Sequence, residues 1–173
     1  LYVTVGTGIS SCLVLDGIPF TGAHGATGTM ASSPLSVTCE KCAHVNQRTL
    51  EDIAAGPALV AGYNQRRPGG TKSGQEVLAA AAAGDVDATD VVRKAGEALE
   101  ATVGLFVNVL DPEAVIVGGG LGLSEGAYWE TFIASTRRHI WSDVHRDLPI
   151  LRAGTGLDAG LIGAAAAAWK RFR

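Results

Sequence analysis

The stretch LFVNVLDPEAVIVGGGL, Leu105 to Leu121, decides the fold class. It ends a helical pattern over Ala88 to Leu110, whose apolar residues are spaced for one buried face: Ala95, Leu99, Val103, Val107 and Leu110. Asp111 and Pro112 end this helix, because proline cannot continue it. Ala114 to Gly120 then form an apolar run that enters three glycines, which is typical of a buried strand. A long helix followed by a buried strand and a glycine turn indicates an α/β protein.

Further strands and helices are predicted on both sides of this stretch. Leu1 to Gly8 is a β-branched run that ends in Gly-Thr-Gly, and Ser11 to Phe20 has the Asp-Gly turn of a hairpin. Thr21 to Gln47 shows no clear period and is predicted to be a long loop. Helices are expected over residues 48–55, 57–64, 74–83, 127–140 and 157–170, with a short strand in PILRAG.

The composition bounds the class of protein. The chain has 173 residues, a size for one domain, with 47% hydrophobic and 18% charged residues and a net charge of −3. It has no basic block, which argues against a nucleic-acid surface, and no apolar run approaches the ~20 residues of a membrane helix. Three cysteines are an odd number, which favours a reducing, cytoplasmic compartment. Because the chain opens directly on a strand, without an initiator methionine or signal peptide, we expect residues upstream of it to be missing.

Two glycine turns follow predicted strands. In VTVGTGIS, Val3 to Ser10, glycines allow backbone N–H groups to approach an anion closely, and the threonine adds a hydroxyl donor. In VIVGGGLG, Val115 to Gly122, a glycine edge at the carboxyl end of a strand lets a flat base lie against the backbone. The alternatives are an ordinary tight turn in the first case and close helix–strand packing in the second. Two such turns in one chain predict a nucleotide cleft.

The segment CEKCAH offers Cys39, Cys42 and His44 as metal ligands. Thiolate and imidazole suit zinc, but a structural zinc site needs four ligands. His24 would supply the fourth only if the loop folds back. A zinc site and a loop without metal therefore both stay open at this point.

Together these segments resemble the ROK family of repressors, open reading frames and sugar kinases. The resemblance rests on GTGIS, DGIPFTGAHGATG, LFVNVLDPEAVIVGGGL and AGLIGAAAAA, and it covers nearly the whole chain. It implies an actin-like (ribonuclease H-like) ATPase fold, α/β with a mixed sheet and flanking helices. It also implies that residues 1–173 are the C-terminal domain of a two-domain protein whose N-terminal domain is absent from this chain.

The resemblance implies an ATP-dependent kinase that transfers the γ-phosphoryl group, with Mg²⁺, to a hydroxyl of a hexose or amino-hexose. Gly6, Thr7 and Gly8 would hold phosphate, and the adenosine would lie on Gly118, Gly119 and Gly120. The family's catalytic aspartate lies upstream of the first strand, so no catalytic residue is expected in this chain and the fragment alone should be inactive. A homodimer is expected. The alternatives are the sugar-sensing domain of a ROK repressor and a non-catalytic dimerisation module.

The family's zinc-knuckle signature is degenerate in this chain. When its final glutamate is aligned with Glu51, the cysteine positions fall on Cys42, His44 and Thr49. Cys39 offers a substitute ligand, so Cys39, Cys42 and His44 are the candidate metal ligands.

The same alignment names the residues for the sugar. The glutamate and histidine of the family's Glu-x-Gly-His motif fall on Thr29 and Ser32, and only Glu51 keeps its type. The expected substrate-binding residues are therefore Glu51, Thr29 and Ser32. Because the loss of a buried partner for a sugar hydroxyl costs ~1–3 kcal/mol, glucose should be held differently or be replaced by a modified or amino sugar.

Overall fold

The computed structural model describes residues 1–39 and 42–172. The strands are β1 (Tyr2–Val5), β2 (Ile9–Cys12), β3 (Val14–Leu15), β4 (Ile18–Pro19), β5 (Pro34–Thr38), β6 (Val45–Thr49), β7 (Val115–Gly118) and β8 (Ile150–Arg152). The α-helices are α1 (Glu51–Ala54), α2 (Gly56–Arg66), α3 (Gly74–Ala82), α4 (Val86–Leu110), α5 (Ala127–His139) and α6 (Ala159–Arg171). Short 3₁₀ turns cover Met30–Ser32, Asp143–His145 and Gly156–Asp158.

The central sheet has four strands in the order β2-β1-β7-β8. β1 runs antiparallel to β2, with Val5 opposite Ile9, and parallel to β7. β7 and β8 are also parallel. The sheet is therefore mixed and carries helices, which confirms the expected α/β class.

Helix α4 organises the core. Its buried side chains belong to the same apolar cluster as those of β1, β7 and α5. The close approach of α4 to α5 depends on two glycines: a Cβ on Gly96 would lie 2.8 Å from the Tyr128 carbonyl oxygen, and one on Gly104 would lie 2.6 Å from the Cβ of His139. The helix begins two residues before the prediction, because the Asp85 carboxylate accepts from the N–H of Ala88 and caps it.

The prediction of a buried α4 face is wrong for one residue. Leu110 was expected to be buried, but it is 38% exposed. The next residue, Asp111, adopts a left-handed conformation at φ +46° and ends the helix. The last turn therefore carries Leu110 to the edge of the core.

The prediction of a long loop over Thr21 to Gln47 is also wrong. β5 and β6 form an antiparallel hairpin, with Pro34 opposite Thr49 and Thr38 opposite Val45. Four of the five residues in each strand are exposed. Because neither strand has a buried face, the sequence lacks the alternation that would have revealed them.

Helix α6 lies outside the core. From Gly160 to Lys170 its residues are exposed, including Leu161 and Trp169. An isolated helix of this length is only marginally stable in water, so its apolar face is a surface suited to a packing partner. Within the part of the chain that the structure describes, no helix is both long and apolar enough to cross a membrane.

Candidate active site

The turn between β1 and β2 consists of Gly6, Thr7 and Gly8. The Gly6 N–H donates to the carbonyl of Gly8 at 2.9 Å, which closes the turn. The Gly6 carbonyl accepts from the N–H of Gly56, the first residue of α2, at 2.8 Å. The Thr7 side chain is exposed at the tip of the turn. The turn is thus fixed against the start of a helix, and its threonine side chain is exposed.

A cleft of about 500 Å³ opens beside this turn and is called the smaller cleft below. Its lining residues are Gly6, Thr7, Gly56, Pro57, Val60, Ala61, Lys72, Ser73, Gly74, Gln75, Gly120 and Leu121. The two glycine turns that the sequence singled out meet here, because a Cβ on Gly6 would lie 3.6 Å from the backbone nitrogen of Gly120. The volume lies within the ~300–1,000 Å³ typical of small-molecule sites.

The smaller cleft favours an anion. Helices α2 and α3 begin in it, at Gly56 and Gly74, and a helix start carries partial positive charge. The ammonium-bearing Lys72 lines the cleft and is exposed. None of the described lining residues carries a carboxylate. A phosphate group in this cleft would therefore meet favourable electrostatics.

The three glycines at the end of β7, Gly118 to Gly120, have different surroundings. A Cβ on Gly118 would lie 2.0 Å from the Tyr2 hydroxyl, and one on Gly119, at φ +82°, would lie 2.4 Å from the Val5 carbonyl oxygen. Gly119 is therefore required by its positive φ and by the close approach of the β1 backbone, whereas at Gly118 only the end of the Tyr2 side chain is in the way. Only Gly120 lines the smaller cleft, where its Cβ would meet the flexible side chain of Gln75 at 3.0 Å. The assignment of Gly118 and Gly119 to adenosine stays a prediction.

A larger cleft, of about 730 Å³, lies next to the smaller one. Thr7, Pro57 and Ala61 line both clefts, so the two are continuous. The polar side chains of the larger cleft come from the β1–β2 turn, β6, α1, α2 and α4: Thr7, Gln47, Arg48, Glu51, Asp52, Gln65, Arg66 and Lys94. Thr7 stands at the junction of the two clefts.

Glu51, the first residue of α1, is the predicted sugar ligand, and it lines the larger cleft. Its Oε2 accepts from the N–H of Ile9, directly after the glycine turn, at 2.8 Å. A Cβ on Gly8 would lie 2.9 Å from this same Oε2. The absence of a side chain at Gly8 thus gives the Glu51 carboxylate its place.

Thr29 and Ser32, the other predicted sugar ligands, lie on the turn before β5. Both are exposed, and the Ser32 hydroxyl donates to the Thr29 carbonyl at 3.0 Å. Neither is among the described residues that line the two clefts. The turn is nevertheless close to α1, because the N–H of Leu50 donates to the Ser33 carbonyl at 2.9 Å. Their contact with a sugar stays a prediction.

The candidate zinc ligands lie at the tip of the β5–β6 hairpin. Cys39 is partly buried, whereas Cys42 and His44 are exposed. Over residues 1–39 and 42–172, no three His, Cys, Asp or Glu side chains come together as a group that could hold a metal ion. The assignment of Cys39, Cys42 and His44 to a metal stays a prediction.

The sequence reasoning missed the residues at the start of α3, Lys72, Ser73 and Gln75, which line the smaller cleft. A signal for them exists in SGQE, a Ser-x-x-Glu capping pattern. The Ser73 hydroxyl accepts from the N–H of Glu76 at 3.2 Å, and Glu76 accepts from the N–H of Lys72 at 2.8 Å. The pattern fixes the helix start, but its proximity to Gly6 is a long-range contact that no local pattern contains.

Comparison with known sequences identifies the family. The ROK family model matches residues 1–171. This chain belongs to the ROK family. It is 31% identical over 171 residues to the bifunctional enzyme NanE/NanK of Brucella melitensis, covering 95% of this chain and 30% of that protein. It is 29% identical over 172 residues to the N-acetylmannosamine kinase of Haemophilus influenzae, covering 95% of this chain and 53% of the kinase.

Solved structures agree with the expected fold. The ROK hexokinase of Thermus thermophilus shares 33% identity at a TM-score of 0.77, covering 96% of this chain and 55% of that one. A ROK glucokinase of Streptomyces griseus, solved with glucose and AMPPNP, shares 25% identity at a TM-score of 0.79. The match covers 96% of this chain and 59% of the glucokinase. A ROK transcriptional regulator homologous to the Escherichia coli MLC protein shares 24% identity at a TM-score of 0.70, which shows a common fold alone. The expected actin-like fold of the ROK sugar kinases is confirmed.

The chain spans about half the length, or less, of the curated relatives it matches. The same holds for the solved kinases, of which it covers 55% and 59%.

Proposed function

We propose that this ROK family chain forms one of the two domains of an ATP-dependent sugar kinase. The observation that carries the proposal is the continuity of the two clefts through Thr7. In this proposal, the anion-favouring smaller cleft takes the nucleotide and the larger cleft takes the sugar. A γ-phosphoryl group would then pass to a sugar hydroxyl beside the glycine turn.

The chain's contribution to this reaction is positioning and charge stabilisation, which account for most of phosphoryl-transfer catalysis. The glycine turn would offer the Thr7 N–H and hydroxyl to phosphate oxygens, and Lys72 would add a positive charge. Mg²⁺ neutralises phosphate charge when it accompanies ATP. The described residues of the smaller cleft provide no carboxylate for it, so the phosphates themselves are its natural ligands there. The carboxylate base that accepts the hydroxyl proton would come from the other domain.

The substrate proposed for the larger cleft is a hexose or amino-hexose, with N-acetylated amino-hexoses foremost. The named kinase relative acts on N-acetylmannosamine, and a second relative is the bifunctional enzyme NanE/NanK. Glu51 would accept a hydrogen bond from a sugar hydroxyl. Thr29 and Ser32 would supply shorter, uncharged groups where the family motif has a glutamate and a histidine.

The partner proposed for this chain is a second actin-like domain of the same protein. Support comes from the exposed apolar face of α6, where Leu161 is 74% and Trp169 is 66% exposed. Burying such side chains stabilises a protein by ~1.5–3 kcal/mol each, so an uncovered face is a natural contact surface. A homodimer and a cytoplasmic location complete the proposal and rest on family resemblance.

A Thr7→Val variant of the complete protein tests the proposal. Valine keeps the shape of threonine and removes only the hydroxyl at the junction of the clefts. A hydrogen bond to a charged phosphate contributes roughly 1.5–3 kcal/mol, so kcat/KM for ATP should fall about tenfold to a hundredfold. Thr38→Val, on the exposed hairpin strand β5, is the matched control and should leave kcat/KM for ATP unchanged. Equal ATP kinetics in all three proteins would refute the assignment of the turn to phosphate.

A further inference from the structure

The start of α1 is held by three reciprocal hydrogen bonds between Thr49 and Asp52. The Asp52 Oδ2 accepts from the Thr49 N–H at 3.0 Å and from the Thr49 hydroxyl at 2.7 Å. The Thr49 Oγ1 in turn accepts from the N–H of Asp52 at 3.3 Å. This is the geometry of a capping box, which fixes the first turn of a helix. Glu51 lies between these two capping residues in the sequence.

A second set of contacts fixes the far end of the Glu51 side chain. Its Oε2 is bound by the Ile9 N–H at 2.8 Å and fills the space that a side chain on Gly8 would take. The backbone of Glu51 is thus set by the capping box, and its carboxylate is set by the glycine turn. Oε1 is the oxygen left for a ligand in the larger cleft.

We propose that Asp52, acting through Thr49, and Gly8 are positioning residues that hold the Glu51 carboxylate ready for the sugar. The inference rests on the proposed function, because it assumes that Glu51 binds the sugar. Thr49 lines neither cleft, whereas Asp52 lines the larger one. In this proposal the Asp52 carboxylate, bound by Thr49, acts on the sugar through Glu51 and not by direct contact. The hydrogen bonds between Thr49 and Asp52 fix the junction between β6 and α1.

Gly8 has a different role from Thr7 in this account. Thr7 lines both clefts, whereas Gly8 lines neither and faces Glu51. The Gly8→Ala change would push the Glu51 carboxylate away by steric contact. It should therefore raise the KM for sugar more than the KM for ATP, although it lies in the phosphate turn.

The test is a double-mutant cycle on the complete protein, with the KM for sugar and kcat/KM as readouts. Asp52→Ala should raise the KM for sugar about tenfold or more, because small displacements of a binding group are costly. Asp52→Glu, which keeps the capping carboxylate, should have a KM for sugar much closer to that of wild type than Asp52→Ala has. In a Glu51→Gln background, Asp52→Ala should have little further effect, because a positioning residue acts only through the group it positions.

Several outcomes would overturn the inference. Additive losses from Asp52→Ala and Glu51→Gln would show that Asp52 acts independently of Glu51. If Asp52→Ala does not fold, Thr49→Val, which removes the hydroxyl but keeps the backbone N–H, replaces it in the cycle under the same expectation. A KM for sugar that rises after chelator dialysis and recovers with zinc would show that a metal, not the capping box, does the positioning.

These failures are distinguishable from failure of the proposed function. If the wild-type protein phosphorylates no sugar, the kinase proposal itself is wrong. If it phosphorylates a sugar and the cycle is additive, only the positioning role is wrong.

Discussion

The Glu51→Gln substitution separates a sugar ligand from a structural carboxylate. Oε2 of Glu51 is occupied by the Ile9 N–H at 2.8 Å, so Oε1 is the atom that would accept a sugar hydroxyl. Glutamine has only one acceptor oxygen. If that oxygen keeps the Ile9 bond, an NH₂ donor faces the sugar in place of an acceptor. The lost charge-assisted bond contributes roughly 1.5–3 kcal/mol, which corresponds to a tenfold to hundredfold fall in kcat/KM for the sugar.

Glu76→Gln is a closely matched control. Glu76 also lies in the first turn of a helix, and it accepts from a backbone N–H, that of Lys72, at the same 2.8 Å. It is not among the described residues that line the larger cleft. Both variants should therefore lose about 1 kcal/mol of stability, a drop of about 2–4 °C in Tm. Only Glu51→Gln should change the sugar kinetics.

The assay measures ADP release at saturating ATP over a panel of glucose, mannose, N-acetyl and amino hexoses, with Tm measured on the same samples. The account is refuted if wild type and Glu51→Gln have equal kcat/KM on the best sugar while both glutamine variants lower Tm alike. Glu51 would then serve only to join the turn to the helix.

Three further predictions concern neighbouring features. Gly119→Ala should lower Tm strongly, because the added methyl group would meet the Val5 carbonyl and Gly119 has a positive φ. Gly120→Val should keep Tm and weaken ATP binding measured by calorimetry. Unchanged ATP affinity in Gly120→Val would show that Gly120 does not contact the nucleotide. Hydrogen bonds from the Thr49 N–H and hydroxyl lower the pKa of Asp52. The Tm advantage of wild type over Asp52→Ala should therefore hold above the ordinary aspartate pKa of about 3.9 and vanish only as the pH falls below it. A Tm advantage already lost near neutral pH would contradict this. Elemental analysis of the purified protein should find zinc well below one ion per chain, and one tightly bound zinc per chain would show that the hairpin tip rearranges to bind it.

The sequence predicted elements that have a buried face, and it predicted the exposed β3–β4 hairpin from its Asp-Gly turn. Helix α4 was predicted within two residues because Leu99, Val103 and Val107 repeat at helical spacing toward the core, where each is fully buried. The β7 strand and its glycines were predicted because an apolar run that enters three glycines is typical of a buried strand. The β5–β6 hairpin was missed because Val37 and Val45 are exposed and no alternation marks its strands.

The candidate site was predicted as residue types but not as an arrangement. Gly6, Thr7 and Glu51 were identified, and the structure places all three at the clefts. Their mutual placement depends on contacts between residues 42 positions apart, such as Ile9 with Glu51. Local patterns contain no information on such contacts, so the separate roles of Gly8 and Thr7 could be recognised only in the structure.

The most direct test of the kinase proposal is sugar-dependent formation of ADP by the complete protein in the presence of ATP and Mg²⁺. The account predicts that at least one hexose or amino-hexose, with N-acetylated amino-hexoses foremost, raises ADP release well above the sugar-free rate and yields an equal amount of sugar phosphate. If ATP binds but no sugar of the panel raises ADP release or gains phosphate, the central claim is contradicted.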